Sequence, residues 1–366
     1  MSESYSYSIS PTKSRSRYEM GKEFLDKGDY ITAVQFFSSG AEDDEAECQN
    51  ALGKCYENGQ GVEQNYAEAF KWYRKAAEQG LAAAQNNLGN CYYNGRGVKR
   101  DYSDAVKWYR MAINQGVAEA QYGLGECFYY GYSVEQNYSE AVKLYRLAAE
   151  QGVAEAQYSL GWCYYHDEGV EQDYSKAVKW FRKAVEQNNA YAQHSLGDCY
   201  YYGRGVEENE TEAVKWYSMA AEQGLDRAQN TLGDCYYYGR GVEQDYTEAV
   251  KWFIKAAEQG YGEAQDNVGA CYRNGQGVEK NDIEAYIWFG KAIKQKFVAL
   301  KQSNEKSQAD IMQCRHAAEK GDINAQLELG INLFAEAIDW IGKAAAQDNT
   351  DAKKIIETFR KRFFSY

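Results

Sequence analysis

Residues 84–119 read AQNNLGNCYYNGRGVKRDYSDAVKWYRMAINQGVAE. The same 36-residue pattern returns in seven units that keep one register from about residue 48 to 299. Its clearest marker is a cysteine at 55, 91, 127, 163, 199, 235 and 271. A fixed period of this length points to stacked supersecondary units rather than to one large core. Leu88, Cys91 and Tyr92 stand at i, i+3 and i+4, so they share a face of a first helix, helix A. Gly89 sits among them and recurs at 53, 125, 161, 197, 233 and 269. A helix-interior glycine costs about 1 kcal/mol, so its return in every unit implies close packing. The turn Gly95-Arg-Gly97-Val98 supplies residues that adopt positive φ without steric cost. Asp167 replaces the first glycine in the fourth unit and Ser133 the second in the third. The serine turn is expected to differ in shape.

A second helix, helix B, opens at Asn65, Asp101, Asn137, Asp173, Asn209, Asp245 or Asn281, with an acid three residues on in six of the seven. This is the pattern of a capping box. Helix B then carries Ala105, Trp108 and Tyr109. The tryptophan recurs at 72, 180, 216, 252 and 288, with Leu144 once in its place. At helical spacing it reads as core, and truncating it should cost roughly 3–5 kcal/mol. Gly80, Gly116, Gly152, Asn188, Gly224 and Gly260 close helix B.

The expected fold is therefore all-α: an α-α solenoid of about seven helix-turn-helix repeats at 48–299 with atypical ends. Residues 1–17 read as a disordered Ser-rich tail. Residues 18–47 read as a capping pair without the glycine turn, and 300–366 as degenerate repeats with a closing helix and the basic stretch RKRFF. The chain of 366 residues has a single proline, Pro11, so helices are permitted from residue 12 onward. A formal net charge of −13 repels phosphates and argues against nucleic acid. The same charge suits a basic partner. No apolar run reaches the roughly 18 residues of a membrane span. The polar start lacks the apolar core of a secretory signal, which places the expected chain in the cytoplasm. Neighbouring repeats should hold the seven cysteines too far apart for disulfides, so buried reduced thiols are expected.

The consensus A-x-x-x-L-G-x-x-Y-x-x-G-x-G-V-x-x-D/N-x-x-x-A-x-x-W-Y/F-x-x-A-A resembles the Sel-one-like repeat, a cousin of the tetratricopeptide repeat. The resemblance is close over about 48–299 and loose elsewhere. It implies antiparallel helix pairs stacked in a right-handed superhelix, with helix A on the concave face. It also implies a role as an adaptor in signalling or complex assembly. Members include the substrate-handling subunit of an ER ubiquitin-ligase complex and regulators of chitin synthase. Secreted cysteine-rich members carry two cysteines per repeat. This chain carries one, so their disulfides and proposed β-lactamase activity are not implied.

The repeats can be compared with one another. The positions five before, one before and three after each cysteine vary most, and they form one stripe along helix A. Early units fill it with Asn50, Asn86, Asn90 and Asn94. Later units fill it with Tyr122, Glu126, Tyr130, Tyr158, Trp162, His194, Asp198 and Asp234. These eight residues are the candidate protein-binding site. Trp162 stands where other units have Lys54, Asn90, Glu126, Asp198, Asp234 or Ala270. It reads either as an interaction hot spot or as a ring packed on Tyr158 and Tyr165. The expected function is a non-enzymatic scaffold that takes a peptide or protein segment, a basic one suiting the charge, along this stripe. No cofactor, metal site or catalytic residue is expected. The alternatives are a weak hydrolase-like or metal-dependent activity around His166, His194 and Asp198, or a regulatory subunit of a catalytic partner.

Overall fold

The computed structural model describes residues 15–303. The described residues form sixteen helices and no strand. The chain divides into two compact units, the first ending at Asp173 and the second beginning at Tyr174. The first holds α1 (Arg17–Asp26), α2 (Tyr30–Glu42), α3 (Ala46–Asn58), α4 (Tyr66–Glu78), α5 (Ala82–Asn94), α6 (Tyr102–Ile113), α7 (Ala118–Tyr130), α8 (Tyr138–Glu150) and α9 (Ala154–His166). The second holds α10 (Tyr174–Glu186), α11 (Ala190–Tyr202), α12 (Glu210–Glu222), α13 (Asp226–Tyr238), α14 (Tyr246–Glu258), α15 (Gly262–Asn274) and α16 (Asp282–Ser303). The expected all-α repeat solenoid is what the chain forms. The Ser-rich stretch 1–14 and the degenerate repeats and basic end at 304–366 lie outside the described residues. Ser16 caps α1, accepting from the Glu19 amide while Glu19 returns to the Ser16 amide.

Each helix A stops where one residue turns left-handed. Gly95 does so at φ +70° and Asp167 at φ +63°, the Asp167 carboxylate also accepting from the Gln172 amide at 3.0 Å. At the second turn position, Gly97 has φ +72°, and the Tyr66 carbonyl of the preceding repeat fills the space a Cβ would take. Ser133 keeps the same left-handed turn at φ +55°, so the expected change of shape is limited to a smaller φ.

The N-caps of helix B form, but not as capping boxes. The Asn65 side chain accepts from the amides of Ala67 and Glu68, and Asp101 from those of Ser103 and Asp104. The acid three residues on does not close the box. It pairs outward instead, Glu68 with Lys71 at 2.5 Å and Glu140 with Lys143 at 2.9 Å. The reason is that the cap's own N–H is already used: Asn65 donates to the Tyr56 carbonyl and Asp101 to the Tyr92 carbonyl, each at 2.9 Å.

The core differs from the expectation in one respect. Among the recurring tryptophans only Trp288, 9 % exposed, is buried; Trp72, Trp108, Trp180, Trp216 and Trp252 are half-buried. Lys75, Lys183, Lys255 and Lys291, three residues after their tryptophans, lie over four of the indoles at 3.6–4.4 Å from the ring centre. The residue that fills the interior is the next one: Tyr73, Tyr109, Tyr145, Phe181, Tyr217 and Phe253 are each 0–1 % exposed. A step of 100° turns the indole toward the neighbouring pair and its successor into the pair's own interior. Burying such a ring contributes on the order of 2–3 kcal/mol.

A glutamine pair ties the end of helix B back to helix A inside a repeat, and it had no place in the sequence reading. The Gln79 amide donates to Gln49 Oε1 at 2.8 Å, Gln115 to Gln85 at 2.9 Å and Gln151 to Gln121 at 2.9 Å. In the second unit Gln223 donates to Gln193 at 2.6 Å and Gln259 to Gln229 at 2.8 Å. The inner glutamine also caps the preceding helix B, Gln229 donating to the Ala221 carbonyl at 3.1 Å. Buried amides need such partners; the glutamine partner comes from the same repeat, and the carbonyl partner exists only when adjacent repeats are in register. The eight described cysteines are free thiols, all buried.

Candidate functional site

The three stripe positions do not share one exposure. The position five before the cysteine turns inward, and Asn50, Asn86, His194 and Asn230 are all buried. The position before the cysteine is half-buried at Glu126, Trp162, Asp198 and Asp234. That position is exposed at Lys54 and Asn90, and the position three after the cysteine is open, with Tyr130 51 % exposed and Tyr202 and Tyr238 each 57 %. The stripe is thus graded in exposure along helix A. Helix A is flanked by helices of the neighbouring repeats, so its N-terminal part is covered and its C-terminal turn is open.

In the first unit, α7 and α9 hold Tyr122, Glu126, Tyr130, Tyr158 and Trp162. Tyr145, buried on α8, donates its hydroxyl to Glu126 at 2.6 Å. Burial pushes the Glu126 carboxyl above the ordinary carboxylate range, and the Tyr145 hydroxyl pulls it back in part. Tyr122 lies 5.9 Å from Tyr145, ring centre to ring centre. Tyr130 packs edge-on to Tyr129 at 4.8 Å and stacks on Tyr132 at 5.3 Å. Trp162 is half-buried, 6.2 Å from Tyr158 and 3.9 Å from the His166 ring. Trp162 is thus packed on Tyr158 and His166 while part of its surface stays open. On α7, the Tyr129 hydroxyl donates to Glu168 at 2.6 Å. Tyr129 and Glu168 were not singled out in the sequence. The only signal there was that Tyr129 is one of three consecutive aromatics in Phe128-Tyr-Tyr130.

In the second unit, the buried Tyr217 of α12 donates to Asp198 at 2.8 Å. His194 stands one turn before Asp198, with Nδ1 3.5 Å from that carboxylate and Nε2 3.2 Å from the Thr231 hydroxyl. Burial lowers the His194 pKa, and Asp198 offsets this only in part. The imidazole is a buried group held by one hydrogen bond to Thr231 beside the Asp198 carboxylate. Asp234 is pushed up to about 6, by burial and then by Glu263, with Arg240 opposing. Arg204 and Arg240 lie over the exposed rings of Tyr202 and Tyr238 at 4.9 and 4.8 Å. Among the described residues no three His, Cys, Asp or Glu side chains converge as metal ligands.

The Sel1 repeat pattern matches residues 15–44, 46–81, 82–117, 118–153, 154–189, 190–225, 226–261, 262–297 and 325–349. The chain belongs to the Sel1-repeat family. The matches begin before the seven regular units and resume after them, so the terminal pair at 15–44 is itself a Sel1 repeat. A Sel1-repeat protein from Oxalobacter formigenes is 35 % identical, with a TM-score of 0.60 over 66 % of this chain and 99 % of that one. The c5321 protein, a protective antigen of uropathogenic Escherichia coli strains, is 34 % identical, with a TM-score of 0.58 over 89 % of this chain and 74 % of that one. A comparison with curated proteins gave no match. Sel1-repeat proteins generally mediate protein–protein interaction and are typically non-catalytic. No helix among the described residues is long and apolar enough to cross a membrane.

Proposed function

We propose that this Sel1-repeat chain is a non-catalytic adaptor that binds a peptide or protein segment, basic in character, along the helix-A faces of its repeats. The observation that carries the reading is the aromatic group of the first unit. Trp162 is half-buried against Tyr158 and His166, and next to it Tyr130 exposes half of its surface. Rigid aromatics held by their neighbours lose little side-chain entropy on binding, which is why such residues dominate interaction hot spots. Tyr122 and Glu126 form the inner wall of this surface. His194, Asp198 and Asp234 line the helix-A face of the second unit, His194 as a buried support and the two acids as its charge. The net charge of −13 favours a partner carrying lysine or arginine and speeds its approach.

The test is affinity capture from lysate with the wild type and a Tyr122→Ala, Tyr158→Ala, Trp162→Ala variant of matched helicity. Loss of a specific protein from the variant alone supports binding at this face. Identical capture by both proteins removes the aromatic group as the anchor.

A further inference from the structure

Three helix-A acids of this chain are each matched to a hydroxyl supplied by helix B. Tyr73 donates to Glu57 at 2.6 Å, Tyr145 to Glu126 at 2.6 Å and Tyr217 to Asp198 at 2.8 Å. Tyr109 makes the same bond to Asn90 at 2.7 Å. At 181, 253 and 289 this ring is phenylalanine, buried at the first two and half-buried at the third, and opposite Phe181 stands Trp162, which needs no donor. Opposite Phe289 the helix-A residue is Ala270, which needs no donor. Opposite Phe253 it is Asp234, which does.

The ring of Phe253 occupies the same place against Gly233 that Tyr217 occupies against Gly197, yet it brings no hydroxyl to the carboxylate. What Asp234 accepts instead is one long contact from Asn230 Nδ2 at 3.4 Å. Asn230 is itself 3 % exposed, with its oxygen already taken by Asn267 at 3.0 Å. Arg240 lies over the rings of Tyr201 and Tyr238 at 5.9 and 4.8 Å rather than on the acid. Glu263 adds a second negative charge nearby. The result is a half-buried carboxylate whose lone pairs have lost their internal donor, on a face that carries excess negative charge.

We propose that Asp234 is the receptor for an arginine guanidinium of the bound segment, which supplies the hydrogen bonds that Phe253 lacks. A guanidinium presents two parallel N–H donors to one carboxylate and is weakly hydrated, so it suits a half-buried acid better than an ammonium does. The burial that holds Asp234 partly protonated when empty would be offset by the incoming charge. The proposal rests on the peptide-binding reading above but uses the other unit of the chain, so each can fail alone.

The experiment is a ¹³C carboxyl NMR titration of the full-length chain with the capped pentapeptide Gly-Gly-Arg-Gly-Gly, with Gly-Gly-Gln-Gly-Gly as the control. The Asp234 signal is assigned by its absence in Asp234→Asn. The arginine peptide is expected to move this signal saturably and the glutamine peptide to leave it still. Phe253→Tyr, which restores the internal hydroxyl and has a ring the fold already accepts at Tyr217, is expected to weaken the response about tenfold or more. Equal responses to both peptides, or an unchanged response in Phe253→Tyr, overturn the proposal. So does a shift of the peptide-free signal in Arg360→Gln, Lys361→Gln, Arg362→Gln, because the occupant is then the chain's own basic end.

Discussion

Gly89 of α5 lies under the ring of Tyr109 of α6, and a Cβ built on the glycine would come within 2.7 Å of two ring carbons. The same pairing joins Gly53 to Tyr73, Gly125 to Tyr145, Gly197 to Tyr217, Gly233 to Phe253 and Gly269 to Phe289. The glycine and the ring stand twenty residues apart in every case. Together they set how closely helices A and B approach within a repeat.

Gly89→Ala should therefore destabilise the chain by about 1–3 kcal/mol through overpacking, although alanine is the better helix former. Gly80→Ala is the control. Gly80 has φ +94° with nothing within 4 Å of a built Cβ, so its cost is backbone strain alone, about 1 kcal/mol. Urea denaturation followed by helicity measures both. A Gly89→Ala protein as stable as wild type would show that the ring moves aside freely.

Tyr145→Phe removes the hydroxyl that donates to Glu126. The expected cost is about 1–3 kcal/mol, since a partly buried acceptor loses its partner. The Glu126 carboxyl should also titrate higher, because the Tyr145 bond is what pulls it down. Carboxyl NMR reads the shift, and an unmoved Glu126 would contradict the pairing.

Asp234 should make stability depend on pH in a defined direction. Its pKa rises from 3.8 to about 6 on folding, so the folded state holds the proton more tightly than the unfolded chain. Its contribution is complete below pH 4, declines as pH climbs from 4 to 6, and stays flat above. For a half-buried group the loss amounts to about 1 kcal/mol after screening. Denaturation of wild type and Asp234→Asn at pH 4 and pH 7 isolates it. The difference between the two proteins should change by that amount, and a constant difference would refute the shift.

The buried cysteines should resist thiol reagents. Burial pushes Cys91, Cys127, Cys163, Cys199 and Cys235 up to about 12, and Cys55 and Cys271 up to about 11. The thiolate is the reactive form, so these groups should react at neutral pH only as the chain unfolds. Fast stoichiometric labelling of the native protein would contradict their placement.

The periodic sequence by itself determined the helices, their order and their ends. A pattern such as Leu88, Gly89, Cys91 and Tyr92 fixes a helical face through local geometry, and Gly95 and Gly97 mark the turn through their backbone freedom alone. Recurrence every 36 residues then made the family legible from one chain. Only the tertiary structure decided which ring is the core, because Trp108 and Tyr109 are adjacent and differ by a 100° turn that acquires meaning only against neighbouring helices. It also decided that Asn65 spends its amide on Tyr56, which leaves Glu68 to pair with Lys71. The buried glutamines at 49, 85, 121, 193 and 229 are as periodic as the cysteines, yet their glutamine partners lie thirty residues away, at the end of helix B, and meet them only once the two helices of a repeat pack. The candidate site divides along the same line. Sequence variation picked out Tyr122, Trp162, Asp198 and Asp234, but whether the two acids are satisfied depends on the ring facing each: Tyr217 for Asp198, and the hydroxyl-free Phe253 for Asp234.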